Sequence, residues 1–282
     1  MSNSLKSDVT VIIPCYNDGL YITQAIDSVL HQTVLPEKII IVDDGSQQET
    51  KDILKSLDNP LIQLVFQNNQ GVAIARNNAI ELAETRHILS LDADDHFEPT
   101  FIEKALIILQ KDKETAAVCC FYQKHRNNKF IEDVIEPLGG GVTNFLVKNN
   151  GIASGMFRRS CWKKVGGYDT NFKNGYEDWE FWISILKNNG KMHIIPEVLF
   201  YYRIKNTSRD QVAVAQFDVE LRKAIYRKHQ DLYLVNSEKV YLQMINQNNK
   251  LRNSIVNMQK SKDYRLGSFL LKPLRFVKNL WS

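Results

Sequence analysis

The sequence predicts an α/β protein: a Rossmann-like, mostly parallel sheet flanked by helices, followed by a helical C-terminal extension. Three observations carry this expectation. Strand-like and helix-like segments alternate four times over residues 9–109, the pattern of a parallel sheet with right-handed crossovers. Lys38–Val42 (KIIIV) is apolar after its first residue, as a strand covered on both faces must be. Acids gather where strands end, at Asp43-Asp44 and at Asp92, Asp94 and Asp95, and ligands of open α/β sheets sit outside the carboxyl ends of strands.

The elements follow in order. Val9–Ile13 is a short apolar run stopped by Pro14, and Cys15-Tyr16-Asn17-Asp18-Gly19 is a polar loop. Ile22, Ala25, Ile26, Val29 and Leu30 recur at helical spacing, with Asn17 or Asp18 as the cap. A short helix is expected near Thr50–Leu57, a third strand over Leu61–Phe66, and a helix over Gly71–Glu84 with Arg76 near its start. Ile88, Leu89 and Leu91 form the fourth strand, and a helix runs from Pro99 to Leu109. Ala116–Tyr122 reads as a further strand, and Gly139-Gly140-Gly141 as a turn in a surface connection. Ile152–Phe157 is another apolar segment, whose Ser154-Gly155 leaves room for an acceptor to approach the backbone. Ser160–Val165 is a short helix closed by Gly166-Gly167. Phe181, Trp182, Ile185 and Leu186 mark the buried face of a helix that starts at Glu177-Asp178, and Lys191–Ile195 and Val198–Arg203 read as paired closing strands. The expected division is a domain over residues 1–210 and a helical extension over 211–282.

Composition narrows the class. Apolar residues make up 44% and charged residues 24% of 282, ordinary for a globular protein. No run approaches the ~18 apolar residues of a membrane span, and the first residues do not read as a secretory signal. Cys15, Cys119, Cys120 and Cys161 show neither a CxxC nor a zinc spacing, which predicts reduced thiols in a cytoplasmic protein. The net charge of +4 is uneven: from Lys250 onward eight Lys and Arg face Asp263 alone, leaving the rest of the chain slightly acidic. That distribution argues against a nucleic-acid binder.

Neither GxGxxG nor GxxxxGK(S/T) occurs, so no glycine loop cradles phosphates. Clustered carboxylates repel one another, and a hard divalent cation bound by one or two of them together with substrate phosphates relieves that repulsion. Asp92 and Asp94 are therefore read as the grip on a metal–diphosphate. The competing reading makes these acids helix caps, just as Glu177 and Asp178 can simply favour a helix N-terminus.

Six blocks carry a resemblance: VTVIIPCYNDGLYITQAIDSVLHQT, IIIVDDGS, GVAIARNNAI, LSLDADD, GGYD…GYEDWEFW and YYRIKNTS. In this order, over residues 8–210, the chain resembles a family 2 glycosyltransferase with the GT-A fold. The resemblance implies a nucleotide-diphospho-sugar donor, a divalent metal (Mn²⁺ or Mg²⁺) and inversion at the transferred sugar. It puts Pro14, Tyr16 and Asn17 by the nucleoside, Asp44 with Asp43 beside it on a uracil-type imide, and Arg76 near the nucleotide. Asp92-Ala93-Asp94 matches the family's DxD, with Asp92 toward ribose or sugar and Asp94 on the metal. Asp178, paired with Glu177, matches the general base, and Tyr202-Arg203 falls near the diphosphate or a closing loop. The helix after the acidic pair reads ISILKNNG, with less basic character than the family often has there.

The expected activity is transfer of the sugar to a hydroxyl of a sugar or lipid-linked acceptor, in surface polysaccharide or glycolipid synthesis. The alternatives are a polyprenyl-phosphate sugar transferase of the same fold and an inactive sugar-nucleotide-binding protein. In the extension, Tyr241, Met244, Asn248, Leu251, Ile255 and Met258 fit an a/d heptad pattern, predicting either a homodimer through 241–258 or packing on the chain's own domain. Leu266, Phe269, Leu270, Leu274, Val277 and Trp281, with Arg265, Lys272, Arg275 and Lys278, make residues 264–282 a basic amphipathic segment suited to an anionic membrane surface. Peripheral attachment at the inner face of the cytoplasmic membrane follows as an expectation.

Overall fold

The computed structural model describes the backbone of residues 7–126, 129–131, 133–205 and 209–279, with side chains up to residue 271 except at residue 210. The chain opens β1 (Val9–Cys15), α1 (Gly19–Leu30), β2 (Lys38–Asp44), α2 (Gln48–Lys55), β3 (Ile62–Gln67), α3 (Val72–Glu81), β4 (His87–Ser90). There follow β5 (His96–Phe97), α4 (Phe101–Lys111), β6 (Thr115–Arg126), β7 (Lys129–Phe130), β8 (Gly140–Gly141), β9 (Gly155–Arg158), α5 (Arg159–Val165), α6 (Glu177–Leu186) and β10 (Lys191–Arg203). The sheet order is β3-β2-β1-β4-β9-β6-β10-β5, with β7 beside β6 and β8 beside β10. β3, β2, β1 and β4 are parallel neighbours. β9 runs antiparallel between β4 and β6, and β6 and β10 are parallel again.

The apolar runs explain this sheet. All seven residues of β1 are buried, as are Ile39–Asp44 of β2. Each fully buried Val or Ile contributes about 1.5–3 kcal/mol relative to exposure, so an Ile40→Ala change costs roughly 2–5 kcal/mol. α1 turns Ile22, Ala25, Ile26 and Val29 inward, the i, i+3, i+4, i+7 stripe of a surface helix. The parallel strands bring the ends of β1, β2 and β4 to one edge, with Pro14 opposite Val42 and Cys15 opposite Asp43.

Several local expectations change. The two closing strands are one, β10, whose register against β6 shifts between Ile195 and Val198; Pro196, which has no N–H to donate, lies at that irregularity. Gly140-Gly141 is not a bare turn but pairs with Met192 and Lys191. Gly155 gives an acceptor no approach: a Cβ there would stand 2.7 Å from Cys119 Sγ, so the glycine serves close strand packing. All four cysteines are free thiols, and burial pushes Cys15 and Cys119 up to about 12, which suits inert side chains.

Beyond β10 come α7 (Arg209–Val212), α8 (Asp218–Lys228) and α9 (Gln230–Val235). The first compact unit continues to Leu232, past the expected boundary at 210. Ala213, Leu221 and Ile225 are buried, and buried Glu180 of α6 accepts from Lys228 Nζ at 2.9 Å and pairs with His229 Nε2 at 3.0 Å. The second unit, from Tyr233, holds α10 (Ser237–Lys260) and α11 (Lys262–Asn279). α10 buries no residue, and its heptad residues Tyr241, Met244, Leu251, Ile255 and Met258 are all exposed. Leu266, Phe269 and Leu270 of α11 are exposed too. The side chains of Lys272, Leu274, Arg275, Val277 and Lys278, and the whole of Trp281, lie outside the described residues, as do Asn206, Thr207 and Ser208. Among the described residues, no helix is long and apolar enough to cross a membrane.

Candidate active site

The ends of β1 and β2 form one wall. Tyr16 is 51% exposed just past β1. Asn17 takes a left-handed φ of 58°, a conformation asparagine tolerates. Its N–H donates to Ser46 Oγ at 2.9 Å and its Oδ1 accepts from Gln47 N–H at 2.7 Å, so it ties the first loop to the second. Gly45 makes the turn at φ 77°, where a Cβ would stand 2.6 Å from Asn69 N.

The neighbouring acids do different work. Asp44 Oδ1 accepts from Gln67 Nε2 and Gln70 N–H and its Oδ2 from Gly71 N–H, each at 2.8 Å. Asp44 therefore holds the N-terminal turn of α3 rather than presenting itself to a base. Asp43 accepts from Ser46 N–H at 3.2 Å through Oδ1, while its buried Oδ2 has no hydrogen-bond partner among the described residues. An orphaned buried acceptor is costly, and a ligand N–H is a natural occupant.

Arg76 joins the two acidic motifs. Its guanidinium is 1% exposed and donates to Asp92 Oδ1 at 2.6 Å and to Glu177 Oε1 at 2.8 Å. Arg209 adds a second donor to Glu177 Oε1 at 2.5 Å. Burial works to raise the Glu177 carboxyl, but Arg209 and Arg76 outweigh it and hold it below the ordinary range. A carboxylate 1% exposed between two guanidinium groups cannot take a proton from an incoming alcohol. Glu177 is thus a counter-ion that positions α6, not a base.

The turn after β4 carries the remaining acids. Asp95 Oδ1 accepts from Arg203 N–H at 2.8 Å, and Asp94 O accepts from Arg203 Nε at 2.9 Å. Arg203 also donates to Gln24 Oε1 at 2.5 Å and lies over the Tyr21 ring, 4.5 Å from its centroid. Arg203 braces this turn from behind, which replaces the expectation that it meets diphosphate. Ala93 is 2% exposed and supplies spacing alone. Asp94 Oδ2 meets Lys205 Nζ at 2.7 Å, and the same ammonium meets Asp18 Oδ1 at 2.7 Å. Burial pushes the Asp94 carboxyl up; Lys205 pulls it back, and Asp92 and Asp18 push further. Burial, then Asp94 and Asp92, push Asp95 higher still.

These residues fit a hard cation. Among the described residues no three His, Cys, Asp or Glu side chains converge as a cage, but one or two carboxylates plus a diphosphate suffice for Mg²⁺. Asp94 already faces a cationic partner and lies among like charges.

Asp178 lies in the first turn of α6, half-buried, and its Oδ2 accepts from Asn149 Nδ2 at 2.8 Å. Gly175 (φ 123°) and Tyr176 (φ 62°) turn the chain into this helix. A Cβ at Gly175 would stand 2.7 Å from Ala213 Cβ, so that corner admits only glycine.

The model of glycosyl transferase family 2 matches residues 10–172, more than half of the chain and most of this site. The chain belongs to glycosyltransferase family 2. A chondroitin synthase of Pasteurella multocida (strain Pm70) is 35% identical over 138 residues, 48% of this chain and 13% of that protein. The chondroitin synthase of Escherichia coli is 28% identical over 195 residues, 66% of this chain and 27% of its own. The chain thus spans only a small part of these two relatives. The putative teichuronic acid biosynthesis glycosyltransferase TuaG of Bacillus subtilis (strain 168) is 28% identical over 208 residues, 72% of this chain and 81% of its own length. S. aureus TarS, solved as residues 1–349 with UDP, superposes with a TM-score of 0.57 at 19% identity, over 70% of this chain and 60% of that chain. The fold is GT-A.

Pro14, Tyr16, Asn17, Asp43, Asp92 and Asp94 lie at or just past the ends of β1, β2 and β4, and Arg76 of α3 links Asp92 to Glu177 beside Asp178. Lys205, Arg209 and Asn149 were not singled out in the sequence, and Asp18 was read only as a helix cap. Lys205 had a signal there, as a second cation beside Arg203 inside the YYRIKNTS block.

Proposed function

We propose that this glycosyltransferase moves a sugar, with inversion, from a UDP-type nucleotide-sugar to a hydroxyl of a surface polysaccharide or glycolipid precursor. The supporting observation is the Arg76 bridge, one guanidinium holding an acid of the DxD turn and the acid beside Asp178. Structures of TarS with UDP and with UDP-GlcNAc support the donor class, and the names of TuaG and the chondroitin synthases support a polysaccharide setting.

Tyr16 and Pro14 flank the base, and Asp43 Oδ2 accepts from its imide N–H. Asp92, held by Arg76, turns toward ribose or sugar. Asp94 would hold the divalent ion, which when bound would supply positive charge against the leaving diphosphate. Asp178, oriented by Asn149, accepts the acceptor's proton as the hydroxyl attacks the anomeric carbon from the side opposite the diphosphate. Such a base contributes about 10²–10⁴-fold. A phosphate acceptor, as in a polyprenyl-phosphate sugar transferase, needs no base, so the rate of Asp178→Asn separates the two activities.

The exposed stripe of α10, with Asn248 at an a position, supports a homodimer through residues 241–258. The exposed apolar residues of α11 beside Lys262 and Arg265 support peripheral attachment to an anionic membrane. Calorimetric titration of a nucleotide-sugar panel with Mn²⁺ or Mg²⁺ tests the central reading. Selective, metal-dependent binding of a UDP-sugar is expected; no binding by any member would overturn it.

A further inference from the structure

Lys205 holds a position that the bound ion also needs. Three segments distant in sequence meet at its ammonium: Asp18 at the entry of α1, Asp94 after β4, and Lys205 itself two residues beyond β10. Nζ lies 2.7 Å from Asp94 Oδ2 and 2.7 Å from Asp18 Oδ1. The ammonium also lies over the Tyr21 ring, 5.8 Å from its centroid. The three side chains are only 30%, 16% and 20% exposed for Lys205, Asp94 and Asp18, so this is a sheltered pair and not a solvated surface contact.

A divalent ion coordinates a carboxylate oxygen at about 2.0–2.6 Å, depending on the ion. An ammonium already on Asp94 Oδ2 opposes an ion on the same carboxylate, because the two cations repel strongly at that separation. We propose, resting on the metal–diphosphate reading above, that Lys205 is the resident counter-ion of Asp94, displaced when a metal and a diphosphate arrive together, and that its ammonium then pairs with the diphosphate. The four-carbon stem lets it swing, and a lysine meets phosphate as a point charge. The exchange also supplies positive charge near the phosphates, which the helix after Asp178 lacks.

This arrangement couples two ligands. Metal alone must evict Lys205 with no new anion to receive it; metal with a diphosphate provides that anion. Coupling between sites typically changes affinity about 5–150-fold. The test is Mn²⁺ binding to the full chain, read by the loss of the free-ion EPR signal, with and without UDP, for wild type, Lys205→Met and Lys205→Arg. For wild type, UDP is expected to tighten Mn²⁺ at least about 5-fold. Lys205→Met is expected to bind Mn²⁺ alone at least about 5-fold more tightly than wild type and to lose most of the UDP effect, while Lys205→Arg keeps it. Equal affinity of wild type and Lys205→Met for Mn²⁺ alone would overturn the proposal, whatever UDP does. Absence of UDP binding in wild type would instead count against the donor reading, and the metal-only comparison would still decide the part played by Lys205.

Discussion

Arg76→Met removes the link between the two acidic motifs, and its cost can be worked from the contacts. The guanidinium and Glu177 are each 1% exposed, so water does not screen that arm; Asp92 is 27% exposed, so the second arm is partly screened. Removing one partner of a buried ion pair costs about 3–5 kcal/mol. Arg209 still reaches Glu177 at 2.5 Å, which places the expected loss at the lower end, about 3 kcal/mol. For a chain of this size that is a fall in Tm of about 6–12 °C. The loss also has a pH signature. Glu177 is held below its ordinary value of 4.5, so its contribution is complete above that pH and vanishes as pH falls through the lower folded value. Without Arg76 the burial of Glu177 is less offset, and the acid-side loss of stability moves to higher pH. Calorimetric melts from pH 7 to 3.5 measure both effects. A variant melting within about 2 °C of wild type, with an unchanged acid limb, would refute the bridging role. Arg76→Lys should fall close to Arg76→Met, because one ammonium does not reproduce a planar fork spanning two carboxylates.

The neighbouring acids of β2 should separate cleanly. Asp43→Asn presents a donor or a neutral carbonyl where the imide needs a carboxylate; it should weaken UDP binding at least about 10-fold while changing Tm little, which calorimetry and melting would check. Asp44→Ala removes three hydrogen bonds, two from backbone N–H groups at the entry of α3 and one from Gln67 at the end of β3, and should cost about 2–4 kcal/mol by urea unfolding; a cost below ~0.5 kcal/mol would contradict its hold on that entry. Gly175→Ala must meet Ala213 Cβ and adopt a φ of 123°, so a destabilisation of about 1–3 kcal/mol with a drop in turnover is expected.

The sheet was legible because fully apolar runs such as KIIIV leave little choice of environment, and because acids at their ends mark the ligand edge. The division of labour within the site was not. Asp43 and Asp44 are adjacent in a strand, so their side chains point to opposite faces, and nothing local says which one meets the cleft. Arg76 and Glu177 are 101 residues apart, and their pairing exists only once α3 and α6 pack on the same sheet edge. Arg203 looked like a phosphate ligand because it is basic and near the right block; its donors go instead to Asp94 O, Gln24 and the Tyr21 face. The body's extension to Leu232 hid in a charged stretch whose few inward residues, Ala213, Leu221 and Ile225, give a weak periodic signal.

The most direct test of the account compares Asp178→Asn with wild type in two measurements, single-turnover sugar transfer to a hydroxyl acceptor and calorimetric binding of the donor with Mn²⁺. The side chain is isosteric and can still accept from Asn149, so donor affinity should stay within about 2-fold while transfer slows by about 10²–10⁴-fold. Transfer within a few-fold of wild type would contradict the assignment of the base, and with it the reaction proposed for this site.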